Sequence, residues 1–572
     1  MNESDATTDA VPPGRSQPGR LGAEALVIVA LTLSLNLLGN NRVGLWDRDE
    51  PRYATCTREM RDRGDWVHPT FNGQPRYHKP ILIYWLMRAG MAVGGDNPFG
   101  ARLVSGFAGM ATCLLVWRLG RSIAGPGVGF LAALALATAP IVVIESKLAT
   151  TDATLTGLIV AAQSCLWGLG KRDKLVDAVG FWVALGLMTL LKGPVGPVLV
   201  AVAGGLSWWW GGPSVAWRRV RWRLGLTIFG GLTLPWYLAI GIESRGEFFR
   251  FAVQTQLAQR IATSLERHGG FPGYYAALSL PMFYPWSALV PASLGMAWTR
   301  RRVNPAAGFL LGWIVGPMLV LECVQTKLIH YYLPAYPACA LVIAWWLVES
   351  ARLGVALSSW RMGRLGIKLI GAIAIGGVLG LLVSAVVLPG VLRGPCLAIA
   401  LILAVGSLVG RVWLSRGATL RGAGALVATW AGVMGLLVAW ALPSAEPFRL
   451  SRAVGERLAT TAEQTGVRPA MMTYQEPGVI YALGRTATDI RGSEDVLAEV
   501  RRHGPVLLAL LPEETSQFRD DPQYTFESTG SVSGFNANKG KLQTLEFAIV
   551  GASPTAPALV AHAPARQQPF IE

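Results

Sequence analysis

Long apolar runs separated by short charged connections fill the first three quarters of the chain. Runs able to cross a hydrocarbon core about 30 Å thick read at 26–38, 103–119, 126–144, 154–170, 177–191, 194–210, 224–242, 273–298, 305–322, 329–349, 367–390, 396–414 and 424–442. The pattern predicts an α-helical polytopic membrane protein of about thirteen spans. After Leu442 it changes. Short apolar runs at Ala470–Tyr474, Pro505–Leu511 and Leu545–Val550 alternate with helical periods such as Ser493–Arg502, which predicts a small soluble α/β domain. The expected organisation is a disordered cytoplasmic tail over 1–22, a transmembrane domain over 23–443, an extracytoplasmic α/β domain over 444–551 and a disordered tail over 552–572. The N-terminal stretch lacks the basic run, short apolar core and small-residue site of a cleaved signal.

The short connections fix the expected orientation. Arg118 with Arg121, Lys171-Arg172-Asp173-Lys174, Arg218 with Arg219, Arg221 and Arg223, Arg300 to Arg302, Arg361 with Arg364, and Arg411 with Arg416 and Arg421 fall on alternate loops. Positive-inside bias then puts the N-terminus in the cytoplasm of a multi-pass protein of the cytoplasmic membrane, and an odd span count exports the C-terminal domain. Composition agrees: 52% of residues are apolar, 15% are charged, and the mean hydropathy is +0.40. The net charge of +16 is mostly this loop bias, which leaves nucleic acid as a poor partner. The six cysteines, Cys56, Cys113, Cys165, Cys323, Cys339 and Cys396, show no CxxC pair or metal-finger spacing and read as small buried apolar side chains.

One loop departs from the charge rule. The first external loop, 40–80, holds Arg42, Arg48, Arg52, Arg58, Arg61, Arg63, Arg76 and Lys79, partly balanced by Asp47, Asp49, Glu50, Glu59, Asp62 and Asp65. Charge beside a membrane span is costly unless it lies at headgroup level and holds something charged, and a lipid phosphate fits that description. Pro51 at the start of a helix puts Asp49 and Glu50 at its N-terminal end, where the dipole favours acids. For Glu50 simple capping is an equal reading. Asp49 lies three residues from Arg52 among the loop's other cations, and a carboxylate so surrounded stays ionised.

Trp46-Asp47-Arg48-Asp49-Glu50-Pro51-Arg52-Tyr53, Glu59-Met60, Gly64-Asp65-Trp66, Asn72-Gly73, and Tyr77-His78-Lys79-Pro80 followed by Tyr84-Trp85 resemble the first external loop of the GT-C glycosyltransferases. The nearest likeness is to the bacterial aminoarabinose transferases and their relatives among the protein O-mannosyltransferases. Lys147-Leu148-Ala149-Thr150-Thr151-Asp152-Ala153, Leu191-Lys192-Gly193-Pro194 and Lys327-Leu328-Ile329-His330-Tyr331-Tyr332-Leu333-Pro334 resemble later motifs of the same family. The resemblance covers residues 24–350 well and the C-terminal part weakly, through Tyr474-Gln475-Glu476-Pro477-Gly478-Val479-Ile480-Tyr481.

The resemblance implies transfer of a sugar from a polyprenyl (undecaprenyl) phosphate to an envelope lipid, glycan or protein, with inversion at the anomeric carbon. Aminoarabinose on lipid A is the nearest precedent, and neutral hexoses fit the motifs equally. It further implies that Arg52, Lys79 and Tyr331 hold the lipid phosphate, Arg52 as a bidentate fork and Lys79 as a point charge. The plain alternatives are snorkelling for the two cations and an interfacial aromatic role for Tyr331. Lys192 is a further helix-end cation open to both readings. Glu50 and Tyr53 complete the implied substrate-binding set, and Asp152 holds either the sugar or a loop. Asp49 is the expected catalytic residue, as general base for a hydroxyl acceptor or as an electrostatic partner that orients acceptor and cations.

The metal question carries a departure from the family. Aminoarabinose transferases have an acid before the Lys-Pro step, paired with a later histidine around a divalent ion; here His78 holds the first position and His268 the second. Two imidazoles bind zinc only with a further ligand or water; otherwise they are structural or touch substrate. Phe248, Phe249, Arg250, Phe251 and Arg260, between Glu243 and His268, form either an interfacial helix over the donor or an aromatic belt. A lipid or solute transporter is the competing function class. Its charges would line the bilayer midplane between repeats, whereas these candidates sit at span ends on one face.

Overall fold

Apolar helices account for most of the chain, as their composition requires when every backbone group must be paired inside its own segment. The protein is described here by a computed structural model covering residues 18–211, 217–259, 270–536 and 538–554. Among these residues ten helices are long and apolar enough to cross a membrane: Gly19–Leu37, Pro98–Ala124, Asp152–Lys171, Leu175–Lys192, Trp222–Glu243, Pro305–Glu322, Ile329–Arg352, Arg361–Val387, Gly390–Ser415 and Thr419–Phe448.

The remaining three expected spans are not single long helices. The one at 126–144 is a pair, Pro126–Ala137 and Pro140–Lys147, bent by 62° where Pro140 interrupts the backbone ladder. The one at 194–210 is a shorter apolar helix, Val195–Trp210. The one at 273–298 is broken into Tyr274–Met282, Trp286–Leu289 and Val290–Arg300, with Pro281 near the end of the first piece and Pro285 just before the second. Residues 18–22, expected in a disordered tail, already belong to the first helix, Pro18–Leu37.

Pro98–Ala124 is the central packing element, lying against the first span, the first half of the bent pair and Asp152–Lys171. The three C-terminal spans lie side by side at the edge of the bundle. They expose Leu379, Leu382, Val383, Val386, Leu401 and Leu408, as helices facing lipid do.

Two helices belong to the first loop. Asp49–Asp62 is polar overall and buries Tyr53, Ala54, Cys56 and Met60 on one side. Leu82–Gly94, an element the hydropathy reading passed over, has 13 residues, or about 20 Å at 1.5 Å per residue, too short to span. It buries Leu82, Ile83, Tyr84, Met87 and Met91 against the bundle. Between the two helices strands β1 (Thr70–Phe71) and β2 (Gln74–Pro75) form a short hairpin.

The C-terminal unit contains β3 (Arg468–Met471), β4 (Thr488–Asp489), β5 (Val506–Leu510), β6 (Tyr524–Asn536) and β7 (Lys541–Ala552) in the order β4-β3-β5-β7-β6. β3 runs parallel to β4 and β5, and β7 pairs antiparallel with β5 and β6. Period-2 alternation divides the sheet between two cores. Leu507, Ala509, Leu545 and Phe547 meet Val454 and Leu458 on one face, whereas Val506, Leu508, Leu510, Ala548 and Val550 meet Val496 and Phe518 on the other. Burial on both faces explains why β5 reads as a continuous apolar run.

Candidate active site

The segment from Asn40 to Glu50 has almost no regular structure, so its polar backbone groups need partners from elsewhere. Arg102, near the start of the central helix, supplies several. Its Nη1 donates to the carbonyls of Asn40 (3.1 Å) and Val43 (2.7 Å), and its Nη2 donates to Gly44 O (2.8 Å). The same guanidinium grips Glu50 with two parallel bonds, Nε to Oε1 at 2.8 Å and Nη2 to Oε2 at 2.7 Å. The Glu50 carboxylate also accepts the Trp46 N–H at 2.7 Å and the Ala149 N–H at 2.6 Å. Both side chains are almost fully enclosed. Together these contacts tie the loop, the central helix and the start of Ala149–Asp152 into one unit.

Asp49, the next residue outward, is exposed at the first position of its helix. A second acid, Asp152, occupies the same position in the helix Asp152–Lys171. Lys192, in the last turn of Leu175–Lys192, meets Asp152 Oδ1 at 2.6 Å. Both charges suit their helix ends, acid at the amino and base at the carboxyl terminus. The Lys192 ammonium lies 5.2 Å from the centre of the Tyr331 ring, within cation–π range.

His330 stands edge-on to Tyr331, with ring centres 5.1 Å apart. It faces two carboxylates, Nε2 lying 3.9 Å from Asp152 Oδ2 and Nδ1 lying 3.7 Å from Glu145 Oε1. The charges of Asp49 and Lys79 reach His330, and that of Lys79 also reaches Asp152. Thus Asp49, Lys79, Asp152, Lys192 and Tyr331, chosen from motifs spread over nearly three hundred residues, share one neighbourhood at one end of the bundle.

The charge of Arg52, one turn beyond Asp49 along the same helix, reaches Asp47 and Cys56. Tyr53 is buried, its ring centre 6.1 Å from that of Tyr84. Burial, and then the negative charge of Asp49, pushes its phenol well above the ordinary range, so it stays protonated at neutral pH.

His330 and Glu145 were not among the expected residues. His330 sits inside the motif that pointed to Tyr331. Glu145 is an acid in the apolar run Pro140-Ile141-Val142-Val143-Ile144, and an ionisable residue there marks function by default. Arg102 had no such signal, since a lone arginine at a span start also reads as snorkelling.

His78 packs on Phe251 with ring centres 4.8 Å apart, whereas His268 and Arg260 lie outside the described residues. Among the described residues no group of three or more His, Cys, Asp or Glu side chains is placed to hold a metal ion. Phe248, in the short helix Glu247–Phe251, meets Tyr77 and Trp236 edge-on with ring centres 6.0 and 5.2 Å apart.

The family model described as dolichyl-phosphate-mannose-protein mannosyltransferase matches residues 78–235. Over 369 residues the chain is 32% identical to an undecaprenyl phosphate-alpha-4-amino-4-deoxy-L-arabinose arabinosyl transferase of Pseudomonas aeruginosa strain LESB58, a match covering 61% of this chain and 64% of the relative. A protein of the same name from Pectobacterium atrosepticum is 30% identical over 386 residues, covering 63% and 65%. The chain therefore matches just under two thirds of the length of these relatives. The crystal structure of ArnT from Cupriavidus metallidurans in the apo state aligns with a TM-score of 0.73 at 21% identity, covering 94% of this chain and 100% of the other. The same protein bound to undecaprenyl phosphate aligns at 0.71 and 21%, covering 94% and 99%. Over just under two thirds of their length the chain resembles the bacterial aminoarabinose transferases in sequence, and its fold is that of ArnT from Cupriavidus metallidurans.

Proposed function

We propose that this protein is an integral membrane glycosyltransferase that moves a sugar from a polyprenyl phosphate to an acceptor of the cell envelope, at the outer face of the cytoplasmic membrane. The observation that carries the reading is the convergence of the Asp152–Lys192 pair, Tyr331, His330 and the charges of Asp49 and Lys79 at one end of the bundle. Asp49, Asp152 and Lys192 sit at helix ends, which supports a transferase over a transporter whose charges line the midplane.

The chemistry required is modest. As the acceptor oxygen bonds to the anomeric carbon from the opposite face, the bond from that carbon to the phosphate oxygen breaks and its electron pair stays with the lipid phosphate. Cations placed where this charge grows stabilise the transition state. In this reading Lys79, Lys192 and Arg52 supply them, with Tyr331 beside Lys192. Asp152 fixes the Lys192 ammonium through their 2.6 Å contact and so presents it. Asp49 accepts the proton of a hydroxyl acceptor or orients that acceptor against the cations, while Glu50 holds the loop that carries Asp49.

The test is transfer from a polyprenyl-phosphate sugar in proteoliposomes. Asp49→Asn should abolish transfer with an unchanged thermal midpoint, and full activity in that variant would remove Asp49 from the mechanism. Mass spectrometry of envelope lipids and glycans with and without the protein would identify the sugar and its acceptor together.

A further inference from the structure

The segment bearing Asp49 is gripped from two sides. From the bundle, Arg102 Nη2 donates to Gly44 O. From the C-terminal side, Arg449 Nη1 donates to the same carbonyl at 2.9 Å, Arg449 Nη2 donates to Leu45 O at 2.6 Å, and the guanidinium lies 4.4 Å from the centre of the Trp46 ring. Glu446, paired with Arg449 at 3.0 Å, accepts the Gly44 N–H at 3.0 Å. Asp47, two residues before Asp49, accepts the Gly478 N–H at 2.6 Å. Gly478 is the second residue of the short helix Pro477–Leu483 of the C-terminal unit. A Cβ there would lie 2.3 Å from Asp47 Oδ1 and 3.0 Å from its Cγ, so a side chain at this position would displace the Asp47 carboxylate from the contact. Further along the loop, Arg58 donates to Tyr481 O at 3.0 Å, and Asn72 exchanges two bonds of 2.9 and 2.8 Å with the backbone of Ala487.

From these contacts we infer that the C-terminal domain is a positioning element of the active site: through Gly478 against Asp47, and Arg449 against Gly44 and Leu45, it sets where Asp49 stands. The inference rests on the function proposed above. Asp47 and Gly478 are positioning residues, acting on the reaction only through the loop. A misplacement of the order of 1 Å at a catalytic group costs on the order of 100-fold in rate, and the Asn40–Trp46 segment belongs to no helix or strand that would hold it. The contact needs an oxygen acceptor at position 47 and no charge. Burial indeed raises the Asp47 carboxyl, against the lowering effect of the Ser451 hydroxyl and the Arg449 charge.

The experiment is a double-mutant cycle in the full-length protein, read as kcat and donor KM with hydrogen exchange over residues 42–50. Asp47→Ala and Gly478→Ala should each lower kcat on the order of 10- to 100-fold with donor KM changed less than about twofold, and each should speed exchange in the loop. The double variant should be no worse than the worse single, because both break one contact. Asp47→Asn, which keeps an acceptor oxygen, should retain most of the activity. Additive losses, unchanged loop exchange, or a loss in Asp47→Asn equal to that in Asp47→Ala would overturn the inference. Asp47→Ala introduces no clash, so it carries the test if Gly478→Ala does not accumulate. An inactive wild-type protein would instead refute the proposed function, and loop exchange would still report on the clamp.

Discussion

Arg102→Met is the sharpest single perturbation of the site's framework. The native pair is nearly solvent-free, with side-chain exposures of 3% for Arg102 and 2% for Glu50. Removing one partner of a buried ion pair leaves an uncompensated charge and costs about 3–5 kcal/mol. The carbonyls of Asn40 and Val43 lose their donor as well, at about 1 kcal/mol each, not fully additive with the first loss. Gly44 O keeps Arg449. The total is about 5 kcal/mol. In detergent this should appear as a drop of several degrees in the apparent thermal midpoint, followed by the fluorescence of the chain's 21 tryptophans, together with loss of transfer.

Arg102→Met with Glu50→Leu removes both charges and, beyond the Asn40 and Val43 carbonyls already stripped of their donor, strands the Trp46 and Ala149 N–H groups. The double variant should therefore be more stable than Arg102→Met alone. The reasoning fails if Arg102→Met melts with the wild type, or if the double variant loses as much as the two singles combined. Glu50→Gln distinguishes framework from substrate contact. Loss of transfer with an unchanged midpoint would assign Glu50 to substrate.

Three other outcomes are expected. Lys192→Ala should lower transfer at least on the order of tenfold, with Asp152→Ala in the Lys192→Ala background adding little, as steady-state assays on the four proteins of the cycle would show. His330→Gln should lower kcat on the order of 10- to 100-fold while the thermal midpoint holds; wild-type turnover in that variant would make the imidazole a bystander. Burial raises the Asp96 carboxyl, but the Arg58 and Arg61 guanidiniums more than offset this and hold it below the ordinary carboxylate range. A depressed acid contributes stability that is complete above its unfolded value, near about 3.9, and is lost as pH falls through the folded value. The thermal midpoint should thus stay level from neutral pH downward and fall only in strong acid, a fall that Asp96→Asn should blunt.

The sequence by itself determined the helical bundle, the change to an α/β unit after it, and several of the polar residues that lie near one another at one end of the bundle. Runs such as 367–390 and 396–414 have one stable solution in lipid, and β5 announced itself as a short apolar run. Family-like motifs around Asp49, Lys79, Asp152, Lys192 and Tyr331 could be read as residue types at spacings. Hydropathy could not show that the segment at 273–298 is broken or that 82–94 is a short helix beside the bundle, because proline geometry and packing decide both. It also could not assign Glu50. Only the tertiary structure decided that Arg102, some fifty residues away, takes both of its oxygens, that His330 stands between Glu145 and Asp152, and that Gly478 meets Asp47 across 431 residues. Periodicity reports which face of an element is apolar; a polar group's partner is set by where distant segments bring their donors within about 3 Å.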